Sequence, residues 1–112
     1  KLKETDMAET KKKKTTFNDI INGEKPVLVD FYTDWCGPCK MMNPILKDLK
    51  KNMGDAINII KVDAEKNADA AIKYNVRGVP TLILFKDGQI LWQQSGVVQA
   101  KQLEQIINQK IG

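Results

Sequence analysis

The sequence contains no histidine and two cysteines, so the side chains that build most transition-metal sites are nearly missing. A tetrahedral zinc site needs four such ligands, and only a second copy of the chain could complete one here. Long apolar runs are missing as well. The longest, VLV at 27–29 and TLILF at 81–85, fall far short of the roughly 20 residues that a membrane-crossing helix requires, so no membrane partner is expected. The first 26 residues hold no apolar stretch of the kind a secretory leader uses. The cytoplasm is therefore the expected home, and Met7-Ala8 reads as a start with an appended segment before it. A leader removed ahead of Lys1 is the alternative, and would put the chain outside the cytoplasm.

The net charge of +4 and pI of about 9.1 would suggest an anionic partner if the charge were spread over a folded surface. It is not. Residues 1–16 hold six Lys against Glu4, Asp6 and Glu9, whereas the remainder carries 12 basic and 11 acidic side chains. No aromatic residue is interleaved with Lys11 to Lys14, so the stacking platform for a nucleic-acid strand is absent, and no nucleic-acid partner is expected. Residues 1–15 are expected to form a solvated, disordered tail, with one domain over 16–112. A chain of 112 residues with 42% apolar side chains can bury a real core without staples, and a monomer is expected.

Hydrophobic spacing gives the elements. Thr16, with Asp19 three residues on, opens a short helix that carries Phe17, Ile20 and Ile21 and stops at Gly23. PVLVDFY (26–32) is apolar on both alternating faces except at Asp30, the pattern of a central strand covered on both sides. A helix opening at Cys36 carries Met42, Ile45, Leu46, Leu49 and Met53 on one stripe and ends at Gly54. Pro44 lies inside it and should kink it. INIIKVDA (57–64) is the next strand, parallel to the first through a right-handed crossover. Asp69 to Tyr74 is a short helix. TLILF (81–85) and QILWQQ (89–94) form a hairpin about Lys-Asp-Gly, and a last helix carries Leu103, Ile106, Ile107 and Ile111. The fold class is α/β: a mixed sheet of four or five strands with helices on both faces.

Cys36 and Cys39 stand where a strand hands over to a helix, in WCGPCK. Unpaired N–H groups and the positive end of the helix dipole favour a thiolate there, which makes Cys36 the nucleophile. Cys39, one turn further in and less exposed, can attack a mixed disulfide at Cys36 and expel the reduced substrate. Two other readings stay open: a structural disulfide, a weak stabiliser across so short a loop, and a redox-silent pair in a binding module. Gly37 and Pro38 bring no charge between the sulfurs, and Pro38 no N–H, so little strengthens the thiolate as it is strengthened in an oxidant. The dithiol form should be a reductant. Asp30 is costly amid Val, Leu and Phe unless it has a task or a partner. Lys61, mid-strand in its expected parallel neighbour, is the natural partner, with a solvated lysine at a strand end as the alternative. Lys40, Lys47, Lys50 and Lys51 read as the solvated face of the long helix, and Trp92 as a packing residue.

VLVDFYTDWCGPCKMMNPIL, KVDAEKN, VRGVPTLILFKDG and SGV follow one another at the spacings of the thioredoxin family, which the chain resembles from about Phe17 to its C-terminus. The resemblance implies a thioredoxin-like fold. It further implies a protein dithiol-disulfide reductase that acts on disulfides of other proteins, is recharged by thioredoxin reductase, and needs no cofactor beyond its own Cys36-Cys39 disulfide. By the same resemblance Val79-Pro80 is a cis peptide facing the cysteines. Trp35, Gly37, Pro38, Gly96 and Val97 would join Val79 and Pro80 in a docking surface whose main-chain edge pairs with substrate. Asp30 would be the base or proton relay, with Lys61 beside it. One departure is that the family has a strand ahead of the first helix, whereas residues 8–15 are rich in lysine and poor in apolar side chains. That strand is expected to be short or missing.

Overall fold

The computed structural model describes residues 16–112. The expected tail at 1–15, and the question of a strand before the first helix, lie outside the described residues. Helix α1 (Phe17–Ile21) opens on a reciprocal cap: the Asp19 N–H donates to the Thr16 hydroxyl at 3.1 Å, and the Thr16 N–H donates to the Asp19 carboxylate at 3.2 Å. Each bond satisfies a donor that a helix start leaves orphaned. Strand β1 (Val27–Tyr32) is buried from Val27 to Phe31. It lies inside the sheet, parallel to β2 (Asn58–Asp63) on one side and antiparallel to β3 (Thr81–Lys86) on the other. Strand β4 (Gln89–Ser95) pairs with β3, giving the order β2-β1-β3-β4 among the described residues. The hairpin turns at Asp87 and Gly88, both at positive φ (53° and 78°), the backbone that a tight hairpin turn requires and Asp-Gly supplies.

Alternation along these strands builds a core on each side of the sheet. Leu28, Leu82 and Leu84 meet Met42, Leu46 and Leu49 of α2 (Gly37–Met53) and Leu103 and Ile107 of α4 (Ala100–Ile111). Val27, Val29, Phe31, Ile83 and Phe85 meet Ile21 of α1 and Ala71 of α3 (Ala68–Lys73) on the other side. Phe17, Tyr74 and Phe85 stack edge to face there, with ring centroids 5.1 to 6.2 Å apart.

Helix α2 runs on through Pro44 to Met53, so the expected kink does not divide it; the missing N–H falls at an exposed position. A short 3-10 turn (Gly54–Ala56) then leads to β2. Lys50 departs from the solvated face foreseen for it. It is half-buried, and its ammonium donates to the Ile57 carbonyl at 2.6 Å, tying the helix to the start of β2. Trp92 packs against the α2–α4 core.

Candidate active site at the start of the long helix

Cys36 is the N-cap of α2 and is joined to Cys39 by a disulfide, with Cα atoms 5.3 Å apart. The Cys39 N–H points at the Cys36 sulfur from 3.1 Å. It is one of the orphan donors of the helix start, aimed where a negative charge would form when the disulfide opens. Exposure does not separate the two cysteines as expected, since Cys36 is 4% and Cys39 2% exposed. Their surroundings do. Cys36 lines a groove of about 480 Å³ with Thr33, Trp35, Gly37, Pro38, Arg77 and Val79 among its walls. Cys39 lines a separate hollow of about 160 Å³, with Tyr32, Asp34, Lys40, Asn43 and Lys61.

Val79-Pro80 is a cis peptide, and the Val79 carbonyl oxygen lies 3.7 Å from the Cys36 sulfur. Trp35 is 70% exposed, so it is not a core residue; its indole N–H donates to the Glu65 carboxylate at 2.9 Å. Trp35, Gly37, Pro38 and Val79 thus share one groove. Pro80 is buried behind it, and Gly96 and Val97 are not among its walls. Gly96 donates its N–H to the Pro80 carbonyl at 2.8 Å, and Val97 packs toward the α2–α4 core.

Asp30 is completely buried on β1, and neither carboxylate oxygen has a hydrogen-bond partner. Burial disfavours its charged form and pushes its pKa up to about 6, against the lowering pull of Lys61. Lys61 is its register partner across the parallel pair, as expected. Their side chains are not hydrogen-bonded to each other, however. The Lys61 ammonium donates to the Asn43 side-chain oxygen and sits 4.6 Å from the centre of the Tyr32 ring. Lys61 is exposed, so its charge stays in the wet rim while its stem follows the strand, and it acts on Asp30 through its field alone.

Several groove residues were not singled out from the sequence. Thr33 and Arg77 lie within the family-like segments without carrying a chemical signal of their own, and Glu65 reaches Trp35 from a loop 30 residues on. Asp63, the last residue of β2, is a second buried carboxylate; it accepts the N–H groups of Glu65 and Lys66 at 2.9 and 3.1 Å and shapes the loop that presents Glu65. Among the described residues no group of three His, Cys, Asp or Glu stands close enough together to hold a metal ion.

A sequence model of one family, Thioredoxin, matches residues 8–109. The chain belongs to the thioredoxin family. It is 42% identical over 93 residues to Thioredoxin C-2 of Corynebacterium nephridii, covering 83% of this chain and 86% of that protein. It is 44% identical over 103 residues to Thioredoxin Y1, chloroplastic, of Arabidopsis thaliana, covering 88% of this chain and 60% of the longer relative. A mutant thioredoxin from Halobacterium salinarum NRC-1 has a solved structure that superposes with a TM-score of 0.79 at 35% identity, over 89% of this chain and 87% of that one. The thioredoxin fold and its disulfide pair make this chain a dithiol-disulfide oxidoreductase of the protein-disulfide reductase kind. Thioredoxins need no separate cofactor, because the redox-active disulfide is part of the chain. No described helix is long and apolar enough to cross a membrane.

Proposed function

We propose that the chain reduces disulfides of other proteins with Cys36 as nucleophile and Cys39 as resolving thiol. The observation that carries this assignment is the division of surroundings: Cys36 opens on the groove, and the helix-start N–H of Cys39 points at the Cys36 sulfur. The Cys36 thiolate attacks one sulfur of a substrate disulfide, forming a mixed disulfide and releasing the first substrate thiolate, which takes a proton from water. Cys39 gives its proton to the Asp30 carboxylate and attacks the Cys36 sulfur. The Cys36–Cys39 bond forms, the Cys36–substrate bond breaks, and the electron pair leaves on the second substrate sulfur, which is protonated in turn. Two electrons pass to the substrate, and the chain is left as the disulfide.

The docking surface in this reading is the groove wall of Trp35, Gly37, Pro38 and Val79, with Pro80 holding the edge from behind and Gly96 and Val97 continuing past it. An extended substrate segment can pair with the main chain at Val79 while its side chains rest on the apolar wall. Thioredoxin reductase is the proposed source of electrons, and the cytoplasm the proposed compartment, in keeping with a dithiol that must be kept reduced. The chloroplastic relative gives cell fractionation a second compartment to test. The domain boundary is proposed at 15/16, so deletion of 1–14 should leave melting temperature and turnover nearly unchanged.

The deciding assay is insulin-disulfide reduction with and without thioredoxin reductase and its nicotinamide reductant. Sustained turnover that depends on the reductase is expected. No reduction in either arm would make the fold a binding module. Reduction by the chemically pre-reduced protein alone would point to a reductase dedicated to another electron source.

A further inference from the structure

The hollow beside Cys39 contains a contact that the reaction above does not use. Asn43 lies on α2 one turn after Cys39, and its side-chain oxygen accepts a hydrogen bond from the Lys61 ammonium. The two residues together wall two hollows: the one that reaches Cys39, and a second of about 270 Å³ with Leu46, Lys47, Lys50 and Ile59. Their bond is a cross-tie from helix to sheet, and the Tyr32 ring supports the same ammonium from the side.

We propose that Asn43 is a positioning residue for Asp30: its side-chain oxygen, with the Tyr32 ring, holds the ammonium of Lys61, the residue in register with Asp30, at the rim of the Cys39 hollow, and so sets how readily the buried carboxylate gives up its proton.

Two cations, Lys61 and Lys40, line this hollow, and Lys61 is the one in register with Asp30. On the sheet face that Asp30 shares, β3 supplies the apolar Leu82 and Leu84, and α4 supplies Leu103 and Ile107. Strand β1 adds Tyr32, α2 adds Cys39 and Lys40 at the rim, and the loop after β1 adds the Asp34 carboxylate to the same hollow. Asp30 accepts no hydrogen bond, so the field of charges nearby is what offsets its desolvation. An ammonium on a four-carbon stem contributes a steady field only when something holds it. Without Asn43 the ammonium gains more by turning to bulk water than by desolvating toward a carboxylate that is completely buried.

The inference rests on the proposed role of Asp30 as proton acceptor, and the experiment separates the two. Carboxyl carbon NMR of the full-length, oxidised protein follows the Asp30 titration directly in the parent and in Asn43→Ala, Asn43→Gln, Lys61→Met and the Asn43→Ala/Lys61→Met double variant. Single-turnover substrate release is followed across the same pH range. Lys61→Met should raise the Asp30 midpoint by about 1 pH unit. Asn43→Ala should raise it by less, in the same direction, Asn43→Gln should restore it, and Asn43→Ala should add nothing once Lys61 is gone. No shift in Asn43→Ala, a downward shift, or an equal shift in the Lys61→Met background would overturn the assignment. The acid limb of substrate release should move with the NMR midpoint. A limb that stays put while the midpoint moves supports the positioning and removes Asp30 as the base.

Discussion

The two sides of the sheet are equally dry and differ in what they hold. The side under α1 and α3 is apolar and aromatic, with three rings packed edge to face. The side under α2 and α4 is mostly aliphatic, with Trp92 packed at its margin, and it contains Asp30, a carboxylate with no hydrogen bond. A second aspartate, Asp63, ends the neighbouring strand and is also buried, yet it has two backbone N–H partners. Two buried carboxylates on adjacent strands thus have opposite environments. Asp63 is satisfied and shapes a loop; Asp30 is left bare, a state that stability alone does not favour. The difference separates a mainly packing side, which lends Ala71 and Val76 to the groove wall, from a working side that holds the buried carboxylate.

The largest expected effect breaks the packing side. Phe85 is completely buried and touches both other rings, so Phe85→Ala should cost about 3–5 kcal/mol in denaturant titration. Turnover per folded molecule should be retained at a temperature where the variant is folded. A fall in specific activity as large as the fall in stability would show that the two sides are not separable.

Asp30→Ala tests the working side, and the effect should run the other way. The folded pKa is raised from 3.8 to about 6, so the carboxyl's contribution is fully present below the unfolded value and is lost as pH rises through about 6. At about 1.4 kcal/mol per pH unit, the charged form costs the fold about 3 kcal/mol at pH 8. Loss of side-chain volume offsets part of this. The variant should still be more stable than the parent at pH 8, by a margin that shrinks at pH 5, and slower to release substrate. Lower stability at both pH values with parental release would make Asp30 an ordinary structural carboxylate.

The difference between the sides was partly visible in the sequence. The run VLVDFY shows a central strand with one charge in it, and the apolar spacing of 42, 45, 46, 49 and 53 gives the buried stripe of α2. Cys36, Cys39 and their position at a helix start could be read in the same way, because the motif, the strand and the helix are contiguous. The partners across the fold could not. Glu65 under Trp35, Asn43 under Lys61 and the Ile57 carbonyl under Lys50 are each brought close by packing between elements. Periodicity tells which face a residue occupies and leaves open what the facing element offers. That is why Lys61 was matched with Asp30 in register, while the ammonium itself is held by Asn43.

The smallest expected effect lies at the edge of the packing side. Thr16→Ala removes one half of the α1 cap, which should lower stability by about 1 kcal/mol. Alkylation and substrate release should be unchanged, since α1 packs on the side away from the cysteines.

The working side is tested most directly by alkylating the reduced protein with iodoacetamide between pH 5 and 9 and reading each cysteine separately by mass spectrometry. Cys36 should react at neutral pH far faster than Cys39, and Cys39→Ser should accumulate substrate as a stable mixed disulfide on Cys36. Equal rates, or trapping only in the reciprocal Cys36→Ser variant, would contradict the assignment of nucleophile and resolving thiol.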